Sequence, residues 1–241
     1  MSFLNRVARA ALCLFFAATL AGFSFGNSEA DQRKAFIAFL QDINNRPGIH
    51  LLVPSASDEK AFGPYLQHYA LILDFNKEMS ASMSDFIAQL VKLGFGPNPS
   101  PRTIEQIAAA PADLTALKDV VTKMEQTIET RLAKLNADRA ALKQPDDLKA
   151  VYDKTFERLV SAPTLAMENY TKATESGVDA TTALVTYINA HRTRLIVSGM
   201  QIQAKDQHTL DELQPLMKAY QDAGERFVAA QRTSDRVLSG N

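Results

Sequence analysis

Gly22-Phe23-Ser24-Phe25-Gly26 has the Gly-x-Ser-x-Gly spacing that presents a nucleophilic serine in α/β hydrolases. That chemistry needs a sharp strand-to-helix turn within a sheet, whereas these residues close an uncharged apolar run, so the match is coincidental. His208, Asp211 and Glu212 share part of a helix face, and their types bind zinc. A tight zinc site needs three or four convergent ligands, which one local histidine does not supply. Asp206 or Thr209 as a helix cap, with acids near the positive helix end, accounts for the cluster. His191, Arg192 and Arg194 are the candidate binding residues: three basic side chains at a helix end, able to hold a phosphate or an anionic lipid head group. The competing reading is that they satisfy the exposed carbonyls and the dipole of that C-terminus.

Asp146 and Asp147, between Lys143 and Lys149, form the most recognisable polar cluster. Adjacent helical side chains point apart, so the two acids do not form an acid–base pair; they suit a helix start. Met79 and Met83, with Phe75 and Phe86, suit either an adaptable binding surface or core packing, and their seam phase favours core. His50 and His68 have no local partners and read as surface or core-edge residues. No catalytic residue, metal site or cofactor is predicted, and the chain reads as a non-enzyme.

These residues sit in a chain of 241, with Lys+Arg 26 against Asp+Glu 27 and 46% hydrophobic content. That composition is too apolar for intrinsic disorder and permits a sizeable core. A net charge of −1 and no basic–aromatic interleaving argue against nucleic acid as a partner. One cysteine excludes an intramolecular disulfide framework.

Arg6 and Arg9 precede an uncharged run over residues 10–26, with small residues at its exit. This reads as a secretory signal or an uncleaved membrane anchor, residues 1–26, ahead of one domain at 27–241. The segment holds two arginines and no acids, so its removal takes the net charge to −3. Cys13 would leave with it.

Beyond it, period 3.6 dominates. A helix is predicted over 31–43, stopped by Pro47-Gly48, followed by an extended segment or weak strand at 49–53. The stripe Phe62, Tyr65, Tyr69, Ile72, Asn76, Met79, Met83, Phe86 and Leu90 predicts a central helix, ended by a loop at 94–101 rich in proline and glycine. Leu114, Leu117, Val121, Met124, Ile128, Leu132, Leu135 and Leu142 mark a long coiled-coil-like helix over 112–143. A helix opening at Pro145 is expected to stop before Pro163. In the next one, Ala173, Gly177 and Ala180 lie mid-seam, which predicts close approach by a neighbouring helix. A β-hairpin turning at Ser198-Gly199 must pack on helices or pair with 49–53. In the last helix the phase runs through Pro215, predicting a kink or a short helix feeding a longer one. The fold class is mainly all-α: an elongated antiparallel helical bundle with one short hairpin near the C-terminal third.

Residues 30–41, Phe62-Gly63-Pro64, residues 140–154 with Ala162-Pro163, and Gly199-Met200-Gln201-Ile202 together resemble the YiaF-like family of bacterial envelope proteins. The resemblance implies an exported, mainly helical protein with no established activity, often a lipoprotein. Here Phe23 follows Leu20-Ala21-Gly22, where a lipidated cysteine would stand.

The leading expectation is a periplasmic or envelope-bound, non-enzymatic interaction or scaffold module. Its partner would be a protein or an envelope component, with inner- or outer-membrane association. The alternative is a module binding a small ligand or lipid in a pocket near the hairpin and His191. A periplasmic hydrolase would need residues converging from distant segments.

Overall fold

A computed structural model describes residues 28–95 and 102–239. The export or anchor segment, Cys13, the Gly-x-Ser-x-Gly match and most of the 94–101 loop lie outside them.

Three helices start on the same sequence device. Ser28 opens α1 (Glu29–Asn45), Ser55 opens α2 (Ala56–Phe62) and Thr103 opens α4 (Ile104–Ala109). Each cap hydroxyl accepts from the third residue's N–H, and that residue's side chain accepts from the cap N–H. Two donors are thereby satisfied at each start. A 3-10 turn at Gly63–Tyr65 leads into α3 (Leu66–Lys92), whose Tyr69, Ile72, Phe75, Met79, Phe86 and Leu90 are buried. This is the central helix that the stripe predicts. α5 (Ala112–Ala140) packs on α3 and α7 and buries Leu114, Leu117, Val121, Met124, Ile128 and Leu135.

α6 (Asp146–Phe156) does not stop before Pro163. It passes through a π turn at Glu157–Ser161 directly into α7 (Ala162–Ala190). The Ala162 N–H bonds the Glu157 carbonyl, five residues back. That wider turn takes in the proline, whose ring would clash with the carbonyl four residues before it in a regular helix. The run from 146 to 190 spans roughly 65–70 Å at 1.5 Å per residue.

β1 (Leu195–Ser198) and β2 (Gln201–Ala204) pair antiparallel, with Ser198 opposite Gln201. The two turn residues are therefore Gly199 and Met200, one position later than expected. Gly199 has φ +59, the left-handed geometry that a two-residue hairpin requires at its first turn position. The hairpin packs on helices: Gly199 N–H donates to Glu105 Oε2 at 2.8 Å, and Glu105 N–H to the Gly199 carbonyl at 3.2 Å. Residues 49–53 are irregular and pair with no described strand.

α8 (Gln207–Ser239) returns along α7, the largest helix–helix contact of the fold. Pro215 lies inside it without a break. Its exposed face leaves the freed carbonyl to solvent.

α1 covers α6 while α8 covers α7, so their C-termini meet beside the π turn. A Cβ on Gly48 (φ +73) would lie 2.9 Å from the Ser239 carbonyl oxygen. Arg158, from the π turn, donates to the carbonyls of Asn44, Arg46 and Gly48.

Candidate functional site

The basic trio does not converge. The His191 ring stacks on Tyr187 with centroids 4.2 Å apart, its Nδ1 3.0 Å from the Tyr187 carbonyl. Arg192 turns back to Asn189 Oδ1 (2.7 Å) and toward the Ala108 carbonyl. Arg194 is exposed beside Asp206 and Tyr187. The first two serve the end of α7, as a helix C-terminus asks of basic residues.

The other acid–histidine candidates also disperse. His208 lies 3.4 Å from Glu212 on an exposed surface, Glu212 accepts from Tyr187 Oη, and Asp211 accepts from Gln207. Asp206 is the cap, accepting the Thr209 N–H at 2.8 Å. Asp147, in the first turn of α6, accepts the Leu148 N–H at 2.9 Å and pairs with Arg33 at 3.3 Å. Among the described residues no three His, Cys, Asp or Glu side chains are placed to hold a metal ion.

His68 is not a surface or core-edge residue. It is buried, with the rings of Phe36, Tyr65 and Tyr152 edge-on around it. Its Nδ1 is 3.2 Å from Gln144 Nε2, and Tyr152 Oη donates to its backbone carbonyl at 2.9 Å. An amide N–H facing Nδ1 requires the neutral ring, and burial lowers the ring's pKa below its ordinary value.

The feature without a structural duty is a groove. A cavity of about 830 Å³ runs between α3, α5, α7 and α8. Met83, Ile87, Leu90, Leu114 and Leu117 form one wall, while Met167, Tyr170, Val178, Tyr220 and Phe227 form the other. Tyr170 and Phe227 close its α7–α8 side, with centroids 5.2 Å apart. Thr174 and Thr181 also line it, but their hydroxyls donate to the Tyr170 and Gly177 carbonyls of their own helix, at 2.8 and 2.7 Å. At the α8 C-terminal end the lining becomes polar, with Gln231, Ser234 and Asp235.

The small-residue seam of α7 does meet a neighbouring helix, α8, but the approach is not close at every position. A Cβ built on Gly177 or Gly224 meets nothing within 4 Å. These glycines do not admit a close neighbour; they leave the groove wide. The groove also does not lie near the hairpin. It follows α7 from Pro163 to Thr181, on the side away from His191.

A shallower hollow of about 570 Å³ sits where α1 and α8 meet, lined by Arg46, Arg158 and Arg236. Arg46 pairs with Asp42 and Arg158 is spent on carbonyls, so the hollow is mainly helix-end bracing.

The family described as protein of unknown function DUF3053 matches residues 11–235. The chain belongs to this DUF3053 family. Among curated proteins, the uncharacterized protein YiaF of Escherichia coli strain K12 is 29% identical over 190 residues, covering 75% of this chain and 76% of YiaF. The uncharacterized YiaF of Shigella flexneri matches to the same extent. No solved structure matches.

In this DUF3053 member the groove is built from residues that sequence reading assigns to the core. Met83 was separable from its neighbours only in three dimensions: Phe75, Met79 and Phe86 are buried, while Met83 is half-exposed and lines the groove. The one legible signal was the mid-seam Ala173 and Gly177 of α7; Ala223 and Gly224 of α8, which also line the groove, carried none. A seam of small residues leaves a void wherever the backbones do not close on each other.

Proposed function

We propose that this DUF3053 protein is a non-enzymatic envelope module that holds an elongated apolar ligand in the α3–α5–α7–α8 groove. The observation carrying this reading is the groove: apolar along most of its length, polar at one end, and of a size that suits one small molecule. It runs roughly 27 Å along α7 at 1.5 Å per residue. One leaflet's chains occupy roughly 15 Å, half of the ~30 Å hydrocarbon core. An extended hydrocarbon chain of membrane length therefore fits.

The lack of a catalytic role is supported by how the titratable groups are used. His191, His208 and the acids around them are engaged in caps and helix-end contacts, and buried His68 is walled in by aromatic rings. The interaction-module alternative has less behind it. Val53, Leu165 and the hairpin's Ile196 and Met200 are exposed, but on three different parts of the chain.

Export rests on Arg6, Arg9 and the uncharged run over 10–26. No described helix is long and apolar enough to cross a membrane. N-terminal sequencing of the protein from fractionated cells checks export: a start within residues 22–31, or an intact Met1 in the membrane fraction, is expected. Met1 intact in the cytoplasm would contradict it.

Ligand binding is tested with N-phenyl-1-naphthylamine, an apolar dye that brightens out of water. The chain has no tryptophan, so the background is low. Saturable binding near one dye per chain is expected. A signal that never saturates would contradict the reading.

A further inference from the structure

We infer that the groove's ligand is a single-chain amphiphile whose polar end is a hydrogen-bond donor, cationic or neutral, and that Asp235 selects it against anionic head groups. This rests on the groove reading above and adds the chemistry of the head group.

Among the described residues that line the groove, Asp235 is the only charged one. Its position is set by the antiparallel run of α7 and α8, registered by Tyr170 against Phe227 and by Arg226 Nη2 donating to Ser176 Oγ at 3.0 Å. In that register Asp235 falls at the Pro163–Met167 end, with Ser234, Gln231 and the Tyr170 hydroxyl. The Tyr170 hydroxyl is pushed above its ordinary range by burial and by the Asp235 carboxylate, so it stays protonated.

Away from that end the lining is mainly apolar, with Gln221 and the Tyr220 hydroxyl as neutral polar groups. Thr174 and Thr181 spend their hydroxyls within α7. Of the cations on the flanking helices, Arg102 is paired with Asp113 (2.6 Å) and donates to the Leu93 carbonyl, Lys118 is paired with Asp179 (2.6 Å), and Arg226 donates to Ser176. Arg232 and Arg236 flank Asp235 on α8 but are not among the residues lining the groove. A carboxylate or phosphate seated with its chain in the groove would face Asp235 with no cation among the described lining residues. An ammonium or amide in the same place gains an acceptor. The charge of the lining thus distinguishes this groove from one built for a fatty acid.

The test uses the protein as isolated from the producing cells, carrying bound N-phenyl-1-naphthylamine. Dodecylamine, dodecanol and dodecanoate share one chain and differ only in head group; each is titrated below its micelle concentration at neutral pH. Dodecylamine is expected to displace the dye at roughly tenfold lower concentration than dodecanoate, with dodecanol between. Asp235→Asn should bring amine and carboxylate within about threefold of each other and leave dodecanol unchanged. Asp211→Asn, at the opposite end of α8, should change none of them. Thermal midpoints confirm that both variants fold. Equal or better displacement by dodecanoate, or selectivity that survives Asp235→Asn, overturns the inference. Displacement by dodecanol without head-group discrimination leaves the groove reading standing and the inference fallen. Failure of all three to displace the dye removes both.

Discussion

Tyr170 and Phe227 meet across the α7–α8 contact with ring centroids 5.2 Å apart and planes tilted by 48°. The pair ties the two helices and forms part of the groove wall. Phe227 is only half-buried, so Phe227→Ala should lose the pair's own roughly 0.5–1.5 kcal/mol and little more. Urea unfolding is expected to show a loss of about 1–2 kcal/mol. A loss of about 4 kcal/mol, typical of a fully packed phenylalanine, would mean that this region is closed core.

Gly177 and Gly224 stand in helix interiors with open space where a side chain would be. Gly177→Ala and Gly224→Ala should therefore each stabilise the fold by about 0.5–1 kcal/mol, through helix propensity alone. Thermal midpoints check this. A clear destabilisation would show that a neighbouring helix approaches them, as the small-residue seam first suggests.

His68 makes stability depend on pH in a stated direction. Its pKa in the fold lies below the ordinary 6.5, because burial opposes the charged ring. The unfolded chain then takes up the proton first. Stability is complete above about 6.5 and declines as pH falls below that value, levelling off under the folded pKa. Glu125 works the other way: burial and the Glu175 carboxylate raise its pKa, so it favours the fold as pH falls. Comparing His68→Gln with wild type isolates the histidine. The drop in urea midpoint between about pH 7.5 and 5.5 should shrink in the variant. An unchanged drop would assign it elsewhere.

Arg158 caps a helix from a distance, donating to three carbonyls at the end of α1. Arg158→Met keeps the stem and removes the donors, and should cost about 2–3 kcal/mol. Arg46→Met removes an exposed pair with Asp42 and should cost under about 1 kcal/mol. Similar losses for both would show that the Arg158 bonds are not made in solution.

The helices were legible because burial repeats every three or four residues: Tyr69, Ile72, Met79 and Phe86 mark α3, and Leu114 to Leu135 mark α5, by periodicity alone. The hairpin was legible from Gly199 between two apolar runs. Pro163 misled because the sequence carries no sign of a π turn, whose extra residue removes the clash that makes proline a helix stop. His68 misled because its partners, Phe36, Gln144 and Tyr152, come from three distant segments. α4 is six residues long, too short for a period to register. The groove was hidden for a deeper reason. A small residue in a seam is compatible with a close neighbour or with open space beside it, and α7 and α8, though in extensive contact, leave that space at Gly177 and Gly224.

The groove as a binding site is tested most directly by filling it. Gly177→Leu and Gly224→Leu place side chains in the open space, alone and together, and N-phenyl-1-naphthylamine is titrated into each folded variant. Wild type should bind one dye saturably, and the double variant should bind at least about tenfold more weakly with its thermal midpoint retained. A double variant that keeps its midpoint and binds the dye as wild type does would contradict the groove as the site.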